Sequence, residues 1–506
     1  MELELQRESV RCWETVCRTT LEQEETAETI VPDACPDIWQ VLDGEGRLLL
    51  QRKEPQEGKA ELSGLLKVTI LYQPEGEETM ESMEVTLPFS LSPDLPQLTR
   101  RCLLKVTPRV LSVDVHLLNP RKVLVRVGYQ LEVEGFSPQT LSPASMAREG
   151  EDYGVRQRTD TLRSMMTVYV QEKTFTYSDT VTLPAGRPDV QSLLRTRAEC
   201  TCSEARVIGS KLVFKGEAVL TLLCKGPDGG VFSADLHLPY SQIMDAGEES
   251  EEGLCEMDLF FTDVTCIPEG EDPRAFQVEL ALQAQAVLRR QVEVPVLADL
   301  YSTDYQLQTE SSPFPVRSLL GSGEDQEIAR EVLEHSGALG EIFDVQARLG
   351  RTGQRQEGQD RILTQEVELV VLCQGEEGPV TLSKRVTVSH RLPERGETPC
   401  LVTVEILRAP TASITGTGAE VTVPLLFRWM ALEDQTVSLA DRVTLGDRRE
   451  EEEERPSVIL RAVRAGETLW DVAKACLSTD SEIMEASGLT SEELYPGQML
   501  LIPRKR

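Results

Sequence analysis

VPDACPDIWQVL, residues 31–42, returns as LPAGRPDVQSLL, residues 183–194, and this recurrence decides the fold. Pro32 falls on Pro184, Asp37 on Asp189 and Leu42 on Leu194, each pair separated by 152 positions. The same offset carries Gly64 onto Gly216, and each glycine opens a strand, LLKVTILY in one copy and EAVLTLLC in the other, followed by a turn rich in Pro and Gly. LPFS at Leu87 and LPYS at Leu238 keep the register to within one residue. A third, more divergent copy is EVELVVLCQGEEG, residues 366–378, whose Cys373 falls where Tyr72 and Cys224 end the earlier strands; its Pro-Asp signature is missing. A period near 150 is too long for a solenoid repeat, so these are duplicated domains that each own a core.

The strand pattern inside the copies is direct. In KVLVRVGYQLEV the residues Val123, Val125, Val127, Tyr129, Leu131 and Val133 alternate with mostly polar neighbours, the period of a half-buried strand. Phe276, Val278, Leu280 and Leu282 repeat the pattern, as do Val421, Val423, Leu425 and Phe427 in the third copy. Such strands, punctuated by turn clusters, predict antiparallel sheets. The expected fold is mainly β: three antiparallel β-sandwich-like repeat domains at 1–155, 156–312 and 313–447, then an acidic linker at 448–456 and a small α+β module at 457–506. One helix is predicted over 325–335, from Ile328, Ala329, Val332 and Leu333 at helical spacing with Gly337 as a stop. The stretch up to Glu28, charged and rich in Thr, is open between strand and helix.

The C-terminal segment has a different grammar. VRAGETLWDVAKAC, residues 463–476, reads as a short strand, a tight turn and a helix opened by Thr468 with Asp471 three positions on, a capping pair. A second helix, 481–487, follows Thr479 with Glu482 at the same spacing and closes on Gly488. YPGQMLLIP supplies a type II turn through Pro496 and Gly497 and then a strand. This βααβ order, with GETLW, SGL and YPGQ, resembles the LysM domain, a module known for binding N-acetylglucosamine polymers. The resemblance implies a groove between Gly466, Glu467, Thr468 and Leu469 on one side and Ser487, Gly488 and Leu489 on the other. Family members often carry Asn where this chain has Ser487, which removes an amide that both donates and accepts. Leu469, Val472, Ile483 and Ile502 read as core, and Trp470 as a packing residue rather than a sugar platform.

Composition narrows the partners. Lys and Arg number 52 against 85 Asp and Glu, a net charge of −33 over 506 residues, which repels phosphate backbones and anionic lipid and argues against nucleic acid. The LysM-like segment carries six basic and seven acidic residues and ends in Arg504, Lys505 and Arg506, so the acidity lies upstream of it. The run RREEEEERP, 448–456, reads as an extended linker that lets the module move. The charged start MELELQRESVRCWETV lacks the apolar stretch of a signal peptide, and no segment reaches the roughly 18 apolar residues of a membrane span. The expectation is a soluble, cytosolic protein without membrane insertion, whose twelve cysteines, with no CxxC pair, are free buried thiols. No P-loop, HExxH, GxSxG or Rossmann glycine pattern occurs, and His116, His237, His335 and His390 stand apart from one another. The reading is therefore non-enzymatic, with no catalytic residue, cofactor or metal.

The repeated unit, with PDI or PDV ahead of VL or LL, a glycine-opened strand, LPFS or LPYS, and RKVLVRV, resembles the SPOCS domain of clostridial spore proteins; DLYSTDYQLQ, 299–308, is similar to the close of its second copy. Several such domains followed by one LysM module are similar in layout to the coat morphogenetic proteins of spore-forming clostridia. That resemblance implies a scaffold in the mother-cell cytoplasm that attaches the coat to the forespore surface, its LysM module docking on the ATPase that polymerises into the basement layer. A protein partner accounts for a wall-binding type of module without a visible export signal. The alternative is a peptidoglycan-binding protein of the wall or spore cortex.

Overall fold

The computed structural model describes residues 1–148, 150–247, 253–270, 272–449 and 457–503. Each sequence repeat builds the same arrangement. A leading strand is followed by a three-stranded meander, and a closing pair of strands returns to the leader. In the first repeat the leader Val10–Ile30 pairs with Lys122–Leu141, which pairs with Leu103–Asn119; the meander is Ile38–Gln56, Lys59–Pro74 and Glu81–Leu91. The second repeat uses Val155–Thr182 with Ala275–Ser302 and Leu254–Pro268, and the meander Ser192–Ile208, Lys211–Lys225 and Val231–Asp245. In the third, Tyr305–Glu334 pairs with Gly418–Arg448, flanked by Cys400–Ile406 and Thr411–Thr415, and the meander is Ile342–Glu357, Asp360–Gly375 and Gly378–Leu392. All these pairings are antiparallel. The charged N-terminal stretch, open in the sequence, is therefore a strand. The outer sheets of repeats one and two meet where Trp13 pairs with Thr167, giving one six-stranded sheet.

The core sits between meander and outer sheet in each repeat. Every alternate apolar residue read from the sequence faces it: Val123 through Val133, Phe276 through Leu282 and Val421 through Phe427, taken every second residue, are all buried. They oppose Leu66, Val68, Ile70 and Tyr72 in the first meander, Leu220, Leu222 and Cys224 in the second, and Leu369, Val371 and Cys373 in the third. Each such side chain contributes about 1.5–3 kcal/mol of burial.

The helix expected over 325–335 is instead the end of the strand Tyr305–Glu334. Ala329 pairs with Val423 and Leu333 with Ala419, while Ile328 points to solvent, 65% exposed. The positions on the same face just before Ala329 are polar. Asp325 accepts from Trp429 Nε1 at 2.7 Å, and Glu327 meets His390 Nδ1 at 2.9 Å. Because polar residues occupy the inner face, the alternation no longer reports what is inside, and the four apolar residues imitate a helical stripe.

The three meanders converge. Their first strands carry a bulge at the same place, at Leu42, Leu194 and Phe343, where two consecutive residues face one on the partner strand. The three bulged residues pack together with Leu71, Leu223, Leu372 and Met80 into one apolar cluster shared by all repeats. The next residue of each strand is charged. Arg195 donates to Asp43 at 2.6 Å and to Asp344 at 2.5 Å, all three nearly inaccessible to solvent. Arg348 adds a bond to Asp43 at 2.9 Å and Arg197 one to Asp344 at 3.1 Å. Burial pushes Asp43 and Asp344 toward the neutral form, but the guanidinium groups outweigh it and hold both carboxyls below the usual range.

Candidate functional site

The LysM-like module forms from local signals. The strand Val458–Ala462 pairs with Met499–Pro503, and helices α1 (Leu469–Cys476) and α2 (Asp480–Ser487) lie between them in sequence. The first strand thus ends just before Val463, slightly upstream of where the motif placed it. Thr468 Oγ1 accepts from the Asp471 amide at 3.2 Å, and Asp471 accepts from the Thr468 amide at 3.0 Å, a closed capping box. Thr479 caps α2 through the Glu482 amide at 3.2 Å, and Gly488 ends it at φ 67°. The turn closes with the Gln498 amide donating to the Tyr495 carbonyl at 3.0 Å, Gly497 at φ 85°.

The residues expected to form a groove are mostly engaged within the module. Leu469 is buried and packs with Leu489 in one core alongside Val472, Ile483, Leu500 and Ile502. Glu467 pairs with Arg461 and accepts from the Arg464 amide at 3.0 Å. Thr468 is spent on its cap. Ser487 Oγ accepts from the Leu501 amide at 2.9 Å and faces the Leu501 carbonyl at 3.2 Å, tying α2 to the closing strand. Gly466 and Gly488 hold positive φ and bring no side chain. The seven residues therefore supply a shape and few free hydrogen-bonding groups.

The side that sequence reasoning missed is the seat of the module. Trp470 Nε1 donates to Asp299 at 2.8 Å, Lys474 Nζ reaches both oxygens of Asp299 at 2.6 and 2.8 Å, and Tyr301 Oη donates to the Ser478 carbonyl at 2.7 Å. The Trp470 and Tyr301 rings meet edge to face at 5.0 Å, and the Arg158 guanidinium stands 5.8 Å from the Trp470 ring. Partial burial raises Asp299, but Lys474 and Trp470 outweigh it and hold its carboxyl below the ordinary range. Trp470 thus packs, as read, against the module's own apolar cluster and, through Tyr301 and Asp299, against the second repeat. Tyr301 belongs to the module's apolar cluster. The linker expectation of a moving module meets one seated on the strand Ala275–Ser302. The glutamate run 450–454 and the basic tip 504–506 lie outside the described residues. The missed residues sit in DLYSTDYQLQ, a segment the sequence had already set apart.

All twelve cysteines are free thiols, five buried and seven half-buried. Burial pushes Cys200, Cys224 and Cys255 up to about 12, far from the thiolate form at neutral pH. Among the described residues no helix is long and apolar enough to cross a membrane.

These features define a class: tandem antiparallel β repeats joined at a common centre and carrying a docked βααβ module. Residues 37–118 match the SipL, SPOCS domain family, covering the first meander and the strand after it, and residues 462–503 match the LysM domain family. The chain carries a SipL-type SPOCS domain near its N-terminus and a LysM domain at its C-terminus. Together the two domains suggest a spore coat morphogenetic protein, and LysM suggests glycan or protein binding. No curated protein matches, and no solved structure matches.

Proposed function

We propose that this protein is a non-enzymatic scaffold of the spore coat, acting in the mother-cell cytoplasm to hold coat assembly at the forespore surface, with three β domains (1–155, 156–312, 313–447) and a LysM module that docks on the ATPase of the coat basement layer. The pairing of a SipL-type SPOCS domain with a LysM domain in one chain carries this reading. The structure and the composition each support it. The groove residues spend their polar groups inside the module, which favours a protein partner over sugar hydroxyls, and the acidic surface suits basic protein patches. Linked surfaces on three domains also gain avidity on a polymer, where neighbouring subunits present repeated sites. The purified full-length chain is expected to co-sediment with polymerised basement-layer ATPase and to stay in the supernatant when purified peptidoglycan is pelleted. Saturable retention on peptidoglycan with no binding to the polymer would replace this reading with the wall-binding one.

A further inference from the structure

Seating the LysM module creates a cleft that neither part has alone. It measures about 680 Å³ and is walled by Arg148, Arg156 and Tyr301 from the repeats and by Trp470, Asp480 and Glu492 from the module. One oxygen of Asp480, Oδ1, is buried there with no protein donor. A buried polar atom without a partner loses the free energy of its desolvation unless a ligand supplies the bond, and the loss is greater for a charged group. Burial and the neighbouring Glu492 push the Asp480 carboxyl upward, and Arg156 offsets only part of this. Arg148 is turned to Glu4, 2.9 Å away. The cleft therefore has an acidic end short of a cation, beside an aromatic wall where Trp470 and Tyr301 meet.

We propose that this cleft is the docking site for the protein partner, taking an extended peptide segment whose lysine or arginine side chain seats on Asp480. The inference rests on the scaffold reading above and assigns it a surface. The aliphatic stem of such a side chain lies along the Trp470 and Tyr301 rings while its charged head reaches Asp480, a division of labour that long basic side chains readily adopt. An N-acetylated glycan brings hydroxyls but no positive charge, so it leaves Asp480 and Glu492 with only the partial offset of Arg156. Since the walls come from two parts of the chain, an occupied cleft also fastens the module to the second repeat.

Overlapping 15-residue peptides spanning the basement-layer ATPase, probed with the full-length chain, test this. Binding peptides are expected to contain a lysine or arginine whose replacement by glutamine weakens binding at least tenfold. Asp480→Asn in the protein is expected to weaken the same peptides at least tenfold, and the two changes together little more than either alone, the mark of a direct pair. Ser481→Trp, at an exposed position on the cleft wall, is expected to block binding by bulk and guards against a folding artefact of the first variant. Peptides that bind both variants as they bind the parent overturn the cleft, as does displacement of peptide by an N-acetylglucosamine hexamer. Should the full chain capture the ATPase while no peptide responds to either variant, the cleft fails and the scaffold stands. Failure to capture the ATPase at all removes the scaffold reading itself.

Discussion

Gly64 and Gly216 show how strictly single residues are held. A Cβ on Gly64 would stand 2.1 Å from the Leu49 carbonyl oxygen and 2.9 Å from the Phe89 ring; on Gly216 it would stand 1.9 Å from the Thr201 carbonyl. Backbone crosses these positions too closely for any side chain, which explains why the two glycines hold their places in the duplicated sequence. The third repeat solves the same problem differently. Its strand bulges more widely, between Leu349 and Thr352, and Gln365 fills the space, donating to the Gly350 carbonyl at 3.0 Å. Gly64→Ala is expected to destabilise the first repeat by about 2 kcal/mol, because overpacking against backbone cannot relax. Urea unfolding checks it, and an unchanged midpoint would show that the meander shifts freely. The caps of the LysM module belong to this scale too. Thr468, Thr479, Gly488 and Gly497 act through neighbours three or four positions away, so their roles were legible before any fold was known.

Elements were legible wherever one face was apolar and the other polar. The strand Lys122–Leu141 announces itself because its inward residues are uniformly apolar. The end of Tyr305–Glu334 misled because Asp325 and Glu327 turn inward and find Trp429 and His390, partners 104 and 63 positions away. Docking of α1 belongs to this scale as well. Asp299 holds Trp470 and Lys474 at once, and bonds to a charged acceptor contribute about 1.5–3 kcal/mol each. Asp299→Ala is expected to release the module by about 2 kcal/mol, seen as faster hydrogen exchange in residues 470–478. The carboxyl of Asp299 is depressed in the folded protein, so its contribution is complete above about pH 4 and fades as pH falls further. Exchange that is indifferent to Asp299→Ala would mean that Tyr301, by its ring contact and its bond to the Ser478 carbonyl, seats the module without Asp299.

At the scale of the whole molecule, the three meanders share an apolar cluster and a buried ion network, and two further apolar clusters also draw on all three repeats. Arg195 sits where its repeat equivalents are Asp43 and Asp344, and this divergence converts repulsion between like positions into attraction. Removing one member of a buried pair costs about 3–5 kcal/mol because the charge left behind is uncompensated. Arg195→Met is expected to destabilise the assembly of repeats by that amount at neutral pH, measured by urea unfolding. The parent's carboxyls Asp43 and Asp344 are depressed, so their stabilisation is present above about pH 4 and lost as pH falls through their folded values. In the variant, Asp43 keeps only Arg348 and Asp344 only Arg197, and protonation relieves these under-compensated carboxyls instead. The difference between parent and variant should therefore shrink on acidification, and a constant difference from pH 7 to pH 3 would count against the network.

The sequence by itself determined the mainly β class, the duplication, the alternation of each core strand and the βααβ module with its caps, since these depend on periodicity and on bonds between near neighbours. Only the tertiary structure decided that the LysM module rests on the second repeat and that the three meanders share a centre. Asp299 and Trp470 stand 171 positions apart, and Asp43 and Arg348 305 apart. Contacts at such separations leave no periodic trace in a chain. They arise when independently folded surfaces find complementary charge and shape, and a single sequence records each half without naming its mate.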